Sequence, residues 1–276
     1  MIAAIIVICV LAVLSGAYLL MIKPRPEPKT SVEPLKVDYA HRGLFGRNEI
    51  VENTMPAFRE AEEKGFGIEL DVHLSSDNEV IVFHDDTLER LCERPERIDE
   101  MTASELSWVE LKGTYDRIPL LDDVLYEIDK KIPLCIELKG SDTRLCEKVA
   151  ELMDKYDRYY SVESFNPLLL NWFRKNKPRV VRGQLTTNLF RTGKGQSLIN
   201  KIGCTTMMLN FLSKPDYISF DERCPHQLPV VLCEKLYKSL MFVWTVRDKK
   251  SCEMHRSRGR IIIFQDFIPE DGKTAK

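Results

Sequence analysis

In the segment Gly67-Ile68-Glu69-Leu70-Asp71-Val72, two carboxylates alternate with aliphatic side chains. Read as a strand, it puts Glu69 and Asp71 on one face and Ile68, Leu70 and Val72 on the other. Two acids on the buried face of a sheet repel each other and lose hydration, and a bound hard cation with oxygen ligands relieves both penalties. On an amphipathic edge strand the same pattern would only point the acids at water. Pro133-Leu134-Cys135-Ile136-Glu137-Leu138-Lys139 repeats the design, with Glu137 and Lys139 on a common face late in an apolar strand. If both strands end at the C-terminal mouth of a barrel, Glu69, Asp71 and Glu137 can converge on one ion. Lys139 would then sit where an anionic substrate needs neutralising, or would simply pair with Glu137.

Two histidines stand where apolar strands finish, in Tyr39-Ala40-His41-Arg42-Gly43 and Val82-Phe83-His84-Asp85-Asp86. A single histidine so placed is more often structural, but a pair beside acid-bearing strands suits general acid/base work near neutral pH. Arg42 adds a planar fork of donors matched to phosphate oxygens. Glu52-Asn53-Thr54 reads as a polar turn into a helix, capped by Asn53 or Thr54. Glu52 and Asn53 are equally placed to hold His41 or the metal ligands. His73 shares the Glu69/Asp71 face but falls where the strand should be ending, so the ordinary reading is a solvent-facing loop residue. His226 and His255 lack such context and read as structural or surface residues.

The elements that must position these groups follow from the rest of the 276 residues. Met1 to Ile22 carries no charge and is long enough to cross the hydrocarbon core as a helix. No basic residue precedes it, and it exceeds the apolar core of a cleaved signal, so it is expected to remain as a single transmembrane anchor at 1–22. Lys23, Arg25 and Lys29 follow it, which favours a cytoplasmic catalytic domain. Of eight cysteines, Cys9 lies in the span, and the other seven show no CxxC pairing and read as free thiols, suiting a reducing compartment. Residues 23–36 hold four prolines among charges and read as an extended linker. The net charge of −2, without like-charge blocks, argues against a nucleic-acid partner.

From 37 to 276 one domain of barrel size remains. Short apolar runs alternate with helical patterns. The candidate strands are Val37–Ala40, Gly67–Val72, Val80–Phe83, Pro133–Leu138, Tyr160–Phe165, Val180–Leu185, Met241–Val246 and Ile261–Phe264. The intervening helical stretches include Thr54–Lys64, Thr102–Leu111, Asp122–Asp129, Arg144–Lys155 and Pro167–Lys175. This alternation predicts an α/β fold with a parallel sheet, and periodicity alone leaves a closed (β/α)₈ barrel and an open doubly wound sheet both standing. No GxGxxG or Walker loop is present.

His41-Arg42-Gly43, Glu52-Asn53-Thr54, Glu69-x-Asp71, His84-Asp85 and Glu137-x-Lys139 together resemble the glycerophosphodiester phosphodiesterases, in order and spacing. The likeness extends through Glu163-Ser164-Phe165-Asn166-Pro167 and Trp244-Thr245-Val246. It implies a (β/α)₈ TIM barrel, one divalent ion, Mg²⁺ or Ca²⁺, on Glu69, Asp71 and Glu137, and catalytic roles for His41 and His84. It also implies phosphate contacts from Arg42 and Lys139, and hydrolysis of a small-molecule or lipid-derived glycerophosphodiester to glycerol 3-phosphate and an alcohol. The stretch Asp85 to Arg117 resembles the family's insertion near the mouth. Where the family often carries Thr-Asp-x-Pro, this chain has Phe264-Gln265-Asp266-Phe267-Ile268-Pro269, so Asp266 is left outside the expected site. Two other readings stand beside this one: a lysophospholipase D on membrane lysophospholipids, and a membrane-tethered binding module that has lost the chemistry. A phosphoinositide-type phospholipase C on a similar barrel fits the carboxylate motifs less well.

Overall fold

Strands whose alternate residues are apolar on both faces need cover on both faces, and here a closed barrel wrapped by helices supplies it. The computed structural model describes residues 1–46, 49–111, 113–193 and 197–270. The last six positions of the 37–276 domain therefore lie outside the described residues, as does position 112 within Asp85–Arg117. The strands are β1 (Tyr39–Ala40), β2 (Gly67–Leu74), β3 (Val80–Val82), β4 (Leu134–Leu138), β5 (Tyr160–Ser164), β6 (Val181–Thr186), β7 (Tyr217–Asp221), β8 (Leu240–Val246) and β9 (Ile261–Phe264). All except β3 run parallel, and β1 pairs with both β9 and β2, which closes the barrel. The fold is thus an eight-stranded parallel barrel of the TIM type.

Membership differs from the sequence reading at two places. Val80–Phe83 has the β-branched composition of a barrel strand, yet β3 turns back through Ser75–Asn78 and pairs antiparallel with β2. The eighth place belongs to β7, whose Tyr217, Ser219 and Asp221 face inward and dilute the apolar signal. Gly183 of β6 explains how Tyr217 fits: a Cβ there would lie 2.2 Å from the Tyr217 ring. The helix expected over Thr102–Leu111 shrinks to Ala103–Leu106, started by a full Thr102/Glu105 capping box.

Outward side chains such as Leu70, Ile136, Val162, Phe220 and Ile262 pack under the surrounding helices. Inward residues near the strand starts, Tyr39, Cys135, Tyr217 and Phe242, form a lower layer that Leu35 and Val37 close from beneath. Residues 23–36 are accordingly not the free extended linker that their prolines suggest. Arg25 reaches Asp216 Oδ1 at 3.0 Å and the Pro178 carbonyl at 3.3 Å. A 3₁₀ turn over Glu33–Leu35, with proline in its first turn, delivers Leu35 to the barrel base. The helix Ile2–Ile22 is long and apolar enough to cross a membrane and is little buried.

Candidate active site

β2 and β4 are neighbours in register, with Asp71 opposite Glu137. Period-two alternation therefore turns Glu69, Asp71 and Glu137 into the barrel at its C-terminal end, where one carboxylate oxygen from each lies within 4.8 Å of the others. Burial, reinforced by Asp71, pushes Glu69 well above the usual carboxylate range. Burial also raises Glu137, against the opposing pull of Lys139. Asp71 goes the other way: burial would raise it, but Lys139, His84 and Arg42 together hold it far down. Three hard oxygen donors, two of them in distress from mutual repulsion, fit a divalent cation of the Mg²⁺ or Ca²⁺ kind. Lys139 Nζ stands 2.9 Å from Asp71 Oδ1 and 2.7 Å from Glu137 Oε1. Burial would lower its pKa, but the two carboxylates outweigh that and keep it charged.

The turn after β1 aims Arg42 and Asn53 at these acids, and both adopt left-handed φ, 56° and 55°. Such a conformation costs a non-glycine residue energy that local contacts must offset. The Arg42 N–H donates to Glu69 Oε2 at 2.8 Å, and its guanidinium meets Glu52 Oε1 at 2.6 Å and approaches Asp71 Oδ2 at 3.5 Å. Asn53 Nδ2 donates to Asp71 Oδ2 at 2.8 Å while its own N–H donates to the Arg42 carbonyl. Thr54 next to it caps the helix Met55–Glu63. Gly43 is required in the same turn, since at its φ of 79° a Cβ would also lie 2.8 Å from Ala57 Cβ.

His41 and His84 are held through different partners. His41 Nδ1 is 2.8 Å from Gln265 Oε1, and that amide oxygen also accepts from Arg247 while Gln265 Nε2 donates to Asp266. This network assigns the amide orientation, so Nδ1 donates and Nε2 is left with its lone pair. Burial, then the charge of Arg42, lowers the His41 pKa to about 3. His84 Nδ1 lies 2.6 Å from Asp85 Oδ1. Burial would raise Asp85, but hydrogen bonds from His84 and Arg90 bring it to about 2. Arg90 also bridges to Glu52 Oε1 at 2.6 Å, joining Arg42, Glu52, Arg90, Asp85 and His84 in one chain of charges. His73 is on β2 rather than in a solvent-facing loop; it is 7% exposed and lies 3.2 Å from the His84 carbonyl.

Three residues near this centre escape sequence reasoning. Gln265 and Arg90 contact their partners across long or irregular segments and carry no local pattern. Glu163 was detectable, because alternation in Tyr160–Phe165 turns it inward like Glu137. It sits opposite Glu137 in register and accepts from the Tyr217 hydroxyl at 3.1 Å. Burial, then Glu137, raises its pKa to about 7. Asp266 pairs with Arg247 at the rim.

Comparisons with known proteins agree on one family. The sequence model of the Glycerophosphoryl diester phosphodiesterase family matches residues 41–270. YhdW of Bacillus subtilis, provisionally named a glycerophosphodiester phosphodiesterase, is 30% identical over 248 residues, 85% of this chain and 97% of its own. The human lysophospholipase D GDPD1 is 35% identical over 132 residues, 43% of this chain and 41% of its own. A solved Oleispira antarctica phosphodiesterase, in complex with its product sn-glycerol-3-phosphate, superposes with a TM-score of 0.67 at 20% identity, covering 83% of this chain and 92% of that one.

Proposed function

The chain belongs to the glycerophosphoryl diester phosphodiesterase family and is a phosphodiesterase of that kind, and from that premise we propose a metal-dependent hydrolysis of glycerophosphodiesters to glycerol 3-phosphate and an alcohol. The observation that carries it is the convergence of Glu69, Asp71 and Glu137, within 4.8 Å, beside the cations Arg42 and Lys139. A bound divalent ion would supply Lewis-acid neutralisation of the phosphodiester oxygens.

Arg42, charged and fixed by Glu52, binds a phosphate oxygen through its open donors, and Lys139 neutralises the same group from the other side. His41 Nε2, neutral and with its lone pair free, takes the proton of the substrate's glycerol 2-hydroxyl as that oxygen attacks the phosphorus. His84, held at Nδ1 by Asp85, gives a proton from Nε2 to the departing alcohol oxygen. The new P–O bond closes a cyclic phosphate as the bond to the alcohol breaks; His84 then takes a proton from the water that opens the ring, and His41 returns its proton to the glycerol 2-oxygen. Glu52 positions Arg42, and Asn53 positions Asp71. We further read Ile2–Ile22 as a single-pass membrane span with the barrel on the cytoplasmic side, a reading supported by its length and by Lys23, Arg25 and Lys29 just after it.

The test is turnover by the full chain in detergent across glycerophosphocholine, glycerophosphoethanolamine and related diesters, with Mg²⁺, Ca²⁺ or Mn²⁺ and with chelator. Release of glycerol 3-phosphate that chelator abolishes is expected; metal binding with no turnover on any diester would leave only the non-catalytic binding module. The stretch shared with human lysophospholipase D favours one second reading, action on lysophospholipids. Parallel assays with lysophosphatidylcholine separate the two.

A further inference from the structure

The end of the N-terminal helix is held by the barrel domain. Ile22 is fully buried, its carbonyl accepting from Asn210 Nδ2 at 3.1 Å. The Tyr237 hydroxyl donates to the Leu19 carbonyl at 2.8 Å, and Tyr18 donates to the Thr206 carbonyl at 3.1 Å. Tyr18, Leu19 and Ile22, in the last turn and a half of the helix, are thus engaged by the domain, while Leu20 between them stays exposed. A helix that crosses a bilayer with its last turn docked in this way holds the surface around that turn next to the place where it leaves the hydrocarbon.

That surface is apolar where it is exposed. On the helix Leu198–Thr206, Leu198, Ile199 and Ile202 fall at one-face spacing and are 64%, 81% and 38% exposed. The adjoining helices Leu189–Thr192 and Asn210–Ser213 add exposed Phe190 and Phe211. Contiguous apolar exposure of this kind marks a contact surface. Tyr18 and Tyr237 are the residue type that settles at a membrane boundary, with an apolar ring and a polar tip. The face also borders the catalytic end, because a cleft of about 800 Å³ is lined by Gly140 and Gln184 on one side and by Ile199 and Met207 on the other.

We propose that the helix Leu198–Thr206 and its flanking phenylalanines form a membrane-contact face that seats the domain in the interfacial layer of the bilayer, with the barrel mouth beside the lipid. This rests on reading Ile2–Ile22 as a span. The occupant is the bilayer rather than another protein, because the face is continuous with the docked end of the anchor.

The experiment uses the full chain in phosphatidylcholine/phosphatidylglycerol vesicles, with an alkaline carbonate wash reporting whether the chain stays integral. Ile199→Trp and, as reference, Tyr126→Trp on the helix Leu121–Glu127 are compared for quenching by brominated phosphatidylcholine; Tyr126 is equally exposed at 81%. Emission added at position 199 should be quenched several-fold more than emission added at 126, and Leu198→Trp should repeat the result if the first variant fails to fold. Equal quenching at 198, 199 and 126 in chains that survive the wash overturns the contact face while leaving the span intact. Loss of the chain in the wash overturns the span, and the contact face with it.

Discussion

Replacing Lys139 with methionine separates the charge balance of the carboxylate cluster from its packing. Lys139 is 14% exposed at its side chain and bridges Asp71 and Glu137, which are 1% and 12% exposed. Removing one partner of a buried ion pair costs about 3–5 kcal/mol, and the slight opening at Lys139 argues for the lower end. At about 2–4 °C per kcal/mol for a domain of this size, Tm in chelator should fall by about 6–12 °C. A divalent ion at a hundred times its Kd returns about 2.7 kcal/mol in either protein. In the variant, the ion meets the carboxylates without a competing ammonium, so its affinity rises; a tenfold rise is worth about 1.4 kcal/mol. The Tm gain on adding Mg²⁺, Ca²⁺ or Mn²⁺ should then exceed the parent's by about 3–6 °C at equal ion concentration. Thermal melts of the full chain in detergent, with chelator and then each ion, measure both quantities. An unchanged Tm in chelator would show that the pairs contribute nothing. A smaller ion-induced gain in the variant would refute the placing of Lys139 against the ion.

His41→Ala should lower kcat for glycerophosphocholine by about 10²–10⁴-fold, the usual range for loss of a positioned base, as read by coupled choline release. Gln265→Leu removes a neutral hydrogen bond worth about 1 kcal/mol, so a roughly fivefold fall in kcat with KM unchanged is expected; an equal change in KM would mean that Gln265 acts on binding. Gly183→Ala drives a Cβ against the Tyr217 ring and should cost about 1–3 kcal/mol in denaturant unfolding. Glu163 has a folded pKa of about 7 against an ordinary 4.5. Between those values the native state binds more protons than the unfolded one, so stability falls as pH rises through the window. In chelator, Glu163→Gln should gain on the parent progressively from about pH 5 to 8, by up to about 3 kcal/mol, and show no gain below about pH 4. A pH-independent difference would mean that Glu163 is ionised throughout.

Much of this molecule is written locally. The alternation of Glu69 and Asp71 with Ile68, Leu70 and Val72 specifies a strand with one charged and one apolar face, and the barrel needs that pattern to place both. What stayed hidden depends on who meets whom across the chain. Gln265 lies 224 residues from His41, and nothing in Phe264-Gln265-Asp266 signals that its amide orients a ring. β3 and β7 were exchanged because hydrophobicity reports burial, not strand direction: Val80–Val82 is buried in a hairpin, while Tyr217-Ile218-Ser219-Phe220-Asp221 gives its inward positions to hydroxyls and an acid. The prolines of 23–36 signal stiffness and say nothing of attachment, whereas Leu35 and Val37, just after the last of them, have an apolar barrel base to cover.

That last contact sets where the chain can be cut. A soluble fragment beginning at position 37 would keep every residue around the carboxylate cluster yet leave the underside of the barrel without Leu35 and the Asp216 carboxylate without Arg25. Its weakness would show as aggregation rather than as altered chemistry. A start just before Arg25 keeps the stopper in the barrel, sacrificing only the helix and its docked turn, whose vacated niche at Asn210 and Cys233 would need a polar replacement. The segment is therefore a poor place to vary length: residues inserted between Arg25 and Leu35 must loop outward, because both ends are already pinned.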